Sequence, residues 1–373
     1  MLAALVALGA GLRLWGLDRE SAYSDEVASL QHLDAPTLSE FLRRERISDP
    51  PMTPLYFTLE YGWARMTGGS LVAMRLLSVA LGVACIPLLF VLARVFYGTL
   101  GGLTAAGLFS VSLTQTYYAQ EVRPYALILA LALISALSLW RAAHGGRAGW
   151  LVSVAANVAL MWTHLFTVLL PLAQGCYLAV DAWRNRRPMR VVWWVLAHVP
   201  SLLLLALWVR SIDRAGLEVA AAWRHGIVHS YLQPLGDLLQ FGGAGVPRFR
   251  DLPAIGGINV GSIVWRFYAG VLALNLFLTA WHWRTASAHA EKSDILDRSC
   301  FLWTWLLAPS AALFLFSALA YACHSSRYVL YGAIPFFVLA GGTAVLVRRR
   351  VFQALLLLAL LAVNALALHA YPR

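Results

Sequence analysis

Long apolar runs joined by short polar segments set the pattern of this chain. The runs at 71–92, 125–140, 260–281, 301–320 and 351–370 carry few or no charges, and each approaches the ~20 residues that cross a bilayer as a helix. Allotting ~20 residues to a span and placing basic joints on the cytoplasmic side gives about eleven spans. They fall near 2–17, 71–91, 101–117, 125–140, 150–161, 166–183, 191–209, a stretch ending at 283, one ending near 321, 328–347 and one ending near 369. Two polar stretches, at 18–69 with short amphipathic pieces and at about 210–259, are too long to be simple joints. The expected fold is an all-α polytopic membrane bundle, a single domain over 1–373. No internal repeat, low-complexity tract or separate soluble domain interrupts it.

The basic joints fix the orientation. Arg94, Arg141 and Arg147, the group Arg184, Arg186, Arg187 and Arg190, and Arg348-Arg349-Arg350 mark one side, which the positive-inside bias makes cytoplasmic. The N-terminus then lies inside and both long polar stretches lie outside. The outer face collects Asp25, Glu26, Asp49, Glu121, Arg123, His164 and Arg327. Charges at a hydrocarbon boundary are expensive, and several at one face suggest a site.

Composition sharpens this. Of 373 residues, 60% are hydrophobic and 13% charged, more apolar surface than a soluble chain hides. The net charge of +11 is almost all arginine, Lys292 being the only lysine. These arginines are spread among membrane joints rather than gathered in a basic domain, so nucleic acid is not an expected partner; topology and anionic membrane lipids account for most of them. The arginine bias also suggests a GC-rich genome and a bacterial cytoplasmic membrane. The first run opens without a basic segment and reads as a retained helix. Cys85, Cys176, Cys300 and Cys323 share no CxxC spacing, three of them read as buried in apolar helices, and no disulfide framework or cysteine metal site is expected.

Each candidate residue has two readings. Asp25-Glu26, in Tyr23-Ser24-Asp25-Glu26-Val27, offers a general base toward a hydroxyl or amine, or an N-cap with Glu26 favouring a helix dipole. Asp49, before Pro50-Pro51, is a second site carboxylate or a loop cap. Glu121 and Arg123 in Gln120-Glu121-Val122-Arg123-Pro124-Tyr125 serve a substrate or pair with each other; Pro124 suits the first turn of the next helix. Arg327-Tyr328 stands where the positive-inside bias would not put an arginine. A guanidinium there clamps phosphate through bidentate donors or snorkels to anionic lipid. His164, in Thr163-His164-Leu165-Phe166, is a polar turn residue or a substrate contact. No phosphate-binding Gly-rich motif and no HExxH pattern occurs.

In order along the chain stand Asp25-Glu26, Pro50-Pro51 before Leu55-Tyr56, Met74-Arg75-Leu76-Leu77-Ser78, Tyr118-Ala119-Gln120-Glu121-Val122-Arg123-Pro124-Tyr125, Thr163-His164-Leu165-Phe166 and Ser326-Arg327-Tyr328 through Pro335. This ordered set resembles the GT-C superfamily of integral membrane glycosyltransferases. It is most similar to bacterial relatives of protein O-mannosyltransferases and lipid A aminoarabinose transferases, over almost the whole chain. The resemblance implies a polyprenyl-phosphate-linked sugar as donor and transfer at the periplasmic face. It implies Asp25 as catalytic base with Glu26 in support. It also implies Arg75, Tyr118, Glu121, Arg123, Tyr125, His164, Arg327 and Tyr328 as lining of the donor and acceptor cavity. Many relatives carry His where this chain has Asp49, and many carry a soluble C-terminal domain, which would leave acceptor recognition to the two outer loops here.

The chemistry expected is attack of an acceptor hydroxyl or amine on the anomeric carbon, with inversion by a base opposite the leaving group. Arginine can offset the charge of the departing phosphate; Mg²⁺ or Mn²⁺ on the carboxylates is the other candidate for that task. The acceptor class, whether protein, lipid or polysaccharide, is open. A flippase for lipid-linked sugars is the alternative, and it calls for polar residues at mid-membrane and broken helices in repeated halves, neither of which the sequence shows clearly. A catalytically inert scaffold subunit is a third reading.

Overall fold

Inside a bilayer the backbone must satisfy its own hydrogen bonds, so each apolar run becomes a helix. A computed structural model describes residues 1–19, 21–22, 24–48, 53–212, 254–255, 258–319 and 326–370. Its helices are α1 (Leu2–Leu14), α2 (Ser24–Leu30), α3 (Leu38–Ser48), α4 (Pro54–Thr67), α5 (Leu71–Val111), α6 (Leu113–Ala119), α7 (Tyr125–Ala143), α8 (Arg147–Met161), α9 (Leu169–Asn185), α10 (Met189–Arg210), α11 (Val260–Thr285), α12 (His289–Leu319), α13 (Ala333–Leu346) and α14 (Arg350–Ala370). Short 3-10 turns cover Leu165–Val168 and Ser326–Gly332. Two-residue strands Ala254–Ile255 and Ile258–Asn259 pair antiparallel just before α11. The stretch 213–253, most of the expected second outer loop, lies outside the described residues.

Among the described residues, eight segments are long and apolar enough to cross a membrane, and α1 and α8 are shorter apolar helices. The two runs expected at 71–91 and 101–117 share one 41-residue helix, α5. Straight, it would reach about 60 Å, twice the hydrocarbon thickness. It turns at Tyr97 and Gly98, where Gly98 takes φ 68°, a conformation that glycine adopts without a Cβ penalty. The halves fold back on each other: a Cβ at Gly102 would come within 2.9 Å of the Phe90 carbonyl and 3.2 Å of the Arg94 Cβ. The expected joint after Arg94 is therefore a kink rather than a loop. The returning half is broken again at Ser112 (φ −67°, ψ 124°), whose hydroxyl accepts from the Gln115 N–H and starts α6.

Helix α13 is the hub: every residue from Ala333 to Ala344 is buried, whereas among the described residues of α14 the buried ones are Leu360, Asn364 and Ala367. It packs on α5 through glycines: a Cβ at Gly341 would lie 2.8 Å from the Gly101 carbonyl, and one at Gly342 would overlap the Tyr97 ring. Small residues let membrane helices approach this closely. Helices α7 to α10 are joined by an internal polar network. Ser135 Oγ donates to Asn157 Oδ1 (2.7 Å), Asn157 Nδ2 donates to Gln174 Oε1 (2.8 Å), Gln174 Nε2 donates to Ser135 Oγ (2.9 Å), and His198 Nε2 lies 3.2 Å from Asn157 Nδ2. Such mutually satisfied groups act as glue between helices.

The amphipathic pieces expected in the first outer stretch are α2, α3 and α4. Pro54 opens α4 at its first turn and Gly68 closes it in the left-handed region. The Leu55 N–H donates to the Trp162 carbonyl at 2.8 Å, which ties α4 to the end of α8. Of the cysteines, Cys85 is buried, Cys300 half-buried and Cys176 exposed, while Cys323 lies outside the described residues. Three buried cysteines were expected. Cys176 and Cys300 both depart from this: Cys176 lines the open groove between α8, α9 and α10 and Cys300 is only partly covered, because residence in an apolar helix does not fix the face.

Candidate functional site

The carboxylate of Glu26 organises one end of the bundle. It is 1% exposed and accepts from Arg75 Nε (3.0 Å) and Nη2 (2.7 Å), a bidentate pair. Its Oε1 also accepts from the Val122 N–H at 2.9 Å. Arg75 reaches further, donating from Nη1 to the Leu17 carbonyl (2.8 Å) and from Nη2 to that of Ser21 (3.4 Å). One buried ion pair thus ties the segment after α1, the start of α5 and the turn between α6 and α7. Asp25 sits beside Glu26 in α2, its own side chain outside the described residues; Asp49 lies outside them altogether.

The α6–α7 turn presents Glu121 and Arg123. The Arg123 N–H donates to the Glu121 carbonyl at 2.9 Å, and the Ser78 hydroxyl reaches the Arg123 carbonyl at 3.5 Å. Glu121 is pushed up from 4.5 to about 7: burial raises it, the Tyr117 hydroxyl bond opposes that, the Glu26 charge adds to it, and Arg123 and Arg327 draw it down. Tyr118 and Tyr125 stand edge to face at 4.8 Å across the turn, both buried.

The opposite wall is the 162–168 turn with the 3-10 turn Ser326–Gly332. His164 Nδ1 accepts from the Phe166 N–H at 3.2 Å, which leaves the ring proton on Nε2 in the neutral form. Burial, then the Arg327 and Arg123 charges, hold this histidine down at about 3, so it stays neutral. Tyr328 stacks on Phe166 at 4.7 Å and lies 5.3 Å from the His164 ring. The Arg327 guanidinium lies over the Tyr328 ring at 5.5 Å, and the Tyr331 hydroxyl donates to the Phe166 carbonyl at 3.3 Å.

The structure therefore brings together Glu26, Arg75, Tyr118, Glu121, Arg123, Tyr125, His164, Arg327 and Tyr328 from five separate parts of the chain. With Glu26 and Arg75 offsetting each other, Arg123 and Arg327 stand with Glu121, and the local charge becomes more positive as Glu121 takes a proton. That balance suits a phosphate. Among the described residues, no three His, Cys, Asp or Glu side chains gather as a metal-ligand group. Sequence reasoning quoted Tyr56 in a motif without giving it a role, though it is buried and within electrostatic reach of Glu60, Arg123 and Glu26, and it missed Arg13, fully buried in α1. Arg13 sits in no polar joint, where a sequence reading looks.

Residues 48–209, less than half of the chain, match the family described as dolichyl-phosphate-mannose-protein mannosyltransferase. No curated protein matches by sequence. By structure, the chain is similar to ArnT from Cupriavidus metallidurans bound to undecaprenyl phosphate, with TM-score 0.62, 14% identity, 97% of this chain covered and 63% of that one. The chain has the GT-C fold. The apo state of the same ArnT gives TM-score 0.56 at 13% identity, with 92% and 59% covered. The arabinosyltransferase EmbB from Mycobacterium smegmatis aligns more loosely, at TM-score 0.49 and 17% identity over 92% of this chain and 30% of that one. This GT-C chain spans 63% of the length of ArnT, and its family match runs from the last residue of α3 through α10, across most of the candidate site.

Proposed function

We propose that this GT-C protein is a glycosyltransferase that moves a sugar from a polyprenyl-phosphate donor to an acceptor hydroxyl or amine. The observation that carries the reading is the convergence of Arg123, Arg327, Glu121 and neutral His164 at one end of a membrane bundle, beside the helix that holds Asp25. The family match and the fold shared with ArnT, a protein seen with undecaprenyl phosphate, support it.

In this reading Asp25 takes the acceptor proton as the nucleophile attacks the anomeric carbon. The bond from that carbon to the donor phosphate oxygen breaks, the new glycosidic bond forms with inversion, and the polyprenyl phosphate departs with its electron pair. Arg123 and Arg327 offset the charge of that leaving phosphate, and His164 offers an Nε2–H donor from a ring whose charge state does not vary near neutral pH. Glu26 holds the α6–α7 turn in place for this set. An apolar groove of about 390 Å³ between α8, α9 and α10 begins at Met161 and Val168, beside the His164 turn, and is lined further by Pro171, Trp194 and Leu202. It suits part of a polyprenyl tail. The arginine-rich joints lie at the other end of the bundle, so the site belongs to the outer face of a bacterial cytoplasmic membrane.

The test is sugar transfer from a panel of polyprenyl-phosphate sugars in nanodiscs, wild type against Asp25→Asn. Turnover lost in the variant, with donor binding kept, is the expected result. Full turnover by Asp25→Asn would remove Asp25 from the role of base. The break at Ser112 and the polar network within α7–α10 are features that a flippase also calls for. Movement of lipid-linked sugar across proteoliposomes without a new glycosidic bond would support that reading instead.

A further inference from the structure

Arg13 lies in an apolar helix and is 0% exposed. A charge held inside a membrane segment is costly and marks function more often than decoration. Its contacts explain what it does. The break at Ser112 ends α5, and the last carbonyls of a helix have no partner along the chain. Arg13 Nη1 donates to the Ser110 carbonyl at 3.1 Å and to that of Gly9 at 3.0 Å, and Nη2 donates to the Phe109 carbonyl at 3.3 Å. The guanidinium lies 5.4 Å from the Phe109 ring centre. Its charge stands at the negative end of the α5 dipole. One long side chain from α1 thus closes the open end of a broken span.

A second contact comes from the other side of the break. Gln120 Nε2 donates to the Arg13 carbonyl at 2.9 Å and to the Trp15 carbonyl at 3.0 Å. Gln120 ends α6 and precedes Glu121 directly. The space between is made by glycine: a Cβ at Gly82 would lie 2.7 Å from the Ala119 Cβ and 3.3 Å from Arg13 Nε. The end of α1 is therefore bonded to both pieces of the broken span, at Phe109–Ser110 above the break and at Gln120 below it.

We propose that Arg13 and Gln120 are positioning residues, a staple between α1 and the broken α5–α6 span that sets where Glu121 and Arg123 stand relative to the donor phosphate. The proposal rests on the transferase reading above. Neither residue touches substrate; both act through the turn. A misplacement of about 1 Å at a reacting group can lower a rate about a hundredfold, and a shifted Glu121 would also meet a different balance of Glu26, Arg123 and Arg327.

The experiment compares wild type, Gln120→Leu, Arg13→Met and Arg13→Lys in nanodiscs, measuring kcat and KM between pH 5.5 and 9 with a donor that the wild type accepts. Gln120 is half-buried, so Gln120→Leu keeps the test open if Arg13→Met fails to fold. The expected result for Gln120→Leu is a kcat lowered about ten- to a hundredfold, KM within about twofold, and a displaced inflection in the pH profile. Arg13→Lys is expected to recover part of what Arg13→Met loses. A merely structural staple would lower the yield of folded protein and leave kcat per folded molecule and the pH inflection unchanged; that result in Gln120→Leu overturns the proposal alone. A wild type inert with every donor overturns the transferase reading and the proposal with it.

Discussion

Replacing Arg75 with methionine removes the cation that holds Glu26, and the structure sets the size of the effect. Glu26 is 1% exposed and Arg75 4%, so the pair belongs with buried ion pairs. Breaking one of these by deleting a partner costs about 3–5 kcal/mol, against about 0–1 kcal/mol for a surface pair. The loss has three parts. Glu26 forfeits a bidentate partner at 2.7 and 3.0 Å, the Leu17 and Ser21 carbonyls lose a donor each, and a carboxylate stays in a place that excludes water. Methionine fills most of the volume, which keeps the cavity contribution small. Arg75→Lys is expected to recover the charge but not the fork, because one ammonium cannot address two carboxylate oxygens and two carbonyls from different directions. The measurement is equilibrium unfolding in mixed micelles for Glu26→Gln, Arg75→Met and the double variant. Glutamine cannot strand a charge, so the double variant should be less destabilised than the sum of the singles, with a coupling of about 2–3 kcal/mol. A coupling below about 0.5 kcal/mol would show that the two side chains do not depend on each other, and the account of Glu26 as the organiser of this end of the bundle would fall.

Other expectations follow from the same geometry. Glu121 has its folded value raised from 4.5 to about 7, so the folded state holds the proton more tightly than the unfolded chain; stability should fall as pH rises between those values and level off above. Glu121→Gln should flatten that slope, and a slope unchanged in the variant would assign it elsewhere. His144 has the same sign in a higher pH window. Its Nδ1 lies 2.8 Å from the Trp140 carbonyl and its Nε2 3.0 Å from Asp297, two acceptors that only an imidazolium satisfies together, and the Asp297 bond raises it from 6.5. The stability it contributes is present below 6.5 and lost as pH climbs through the higher folded value; His144→Gln should show no loss over that interval in thermal unfolding. Gly82→Ala forces Ala119 away from α5 and should destabilise by about 1–3 kcal/mol in the same unfolding assay; a neutral outcome would mean that α6 moves freely.

The helices were legible because a bilayer turns span length into a signal: about twenty apolar residues read the same way wherever they occur. Face and continuity were not. The Tyr97–Gly98 kink keeps helical neighbours on both sides, so hydropathy alone cannot tell it from a loop, and Cys176 is exposed although its helix is apolar enough to span. The site divides along the same line. Glu121, Arg123, His164 and Arg327 stand in polar joints between apolar runs, where a charge has no local use and draws notice. Arg75 was legible as a site residue, but most of its partners are main-chain carbonyls more than fifty positions away, and carbonyls leave no trace in a sequence. Arg13 escaped for a related reason. An arginine near the end of a short apolar run looks like one that snorkels to the interface, and only the break at Ser112 gives it carbonyls to bind. The trace that was present is Gly9, one turn before Arg13, with Gly82 on the facing helix: two positions without a Cβ beside a long buried cation. Small residues clustered around an intramembrane charge record the room that the charge needs, and in this chain they point to the staple more directly than the charge itself.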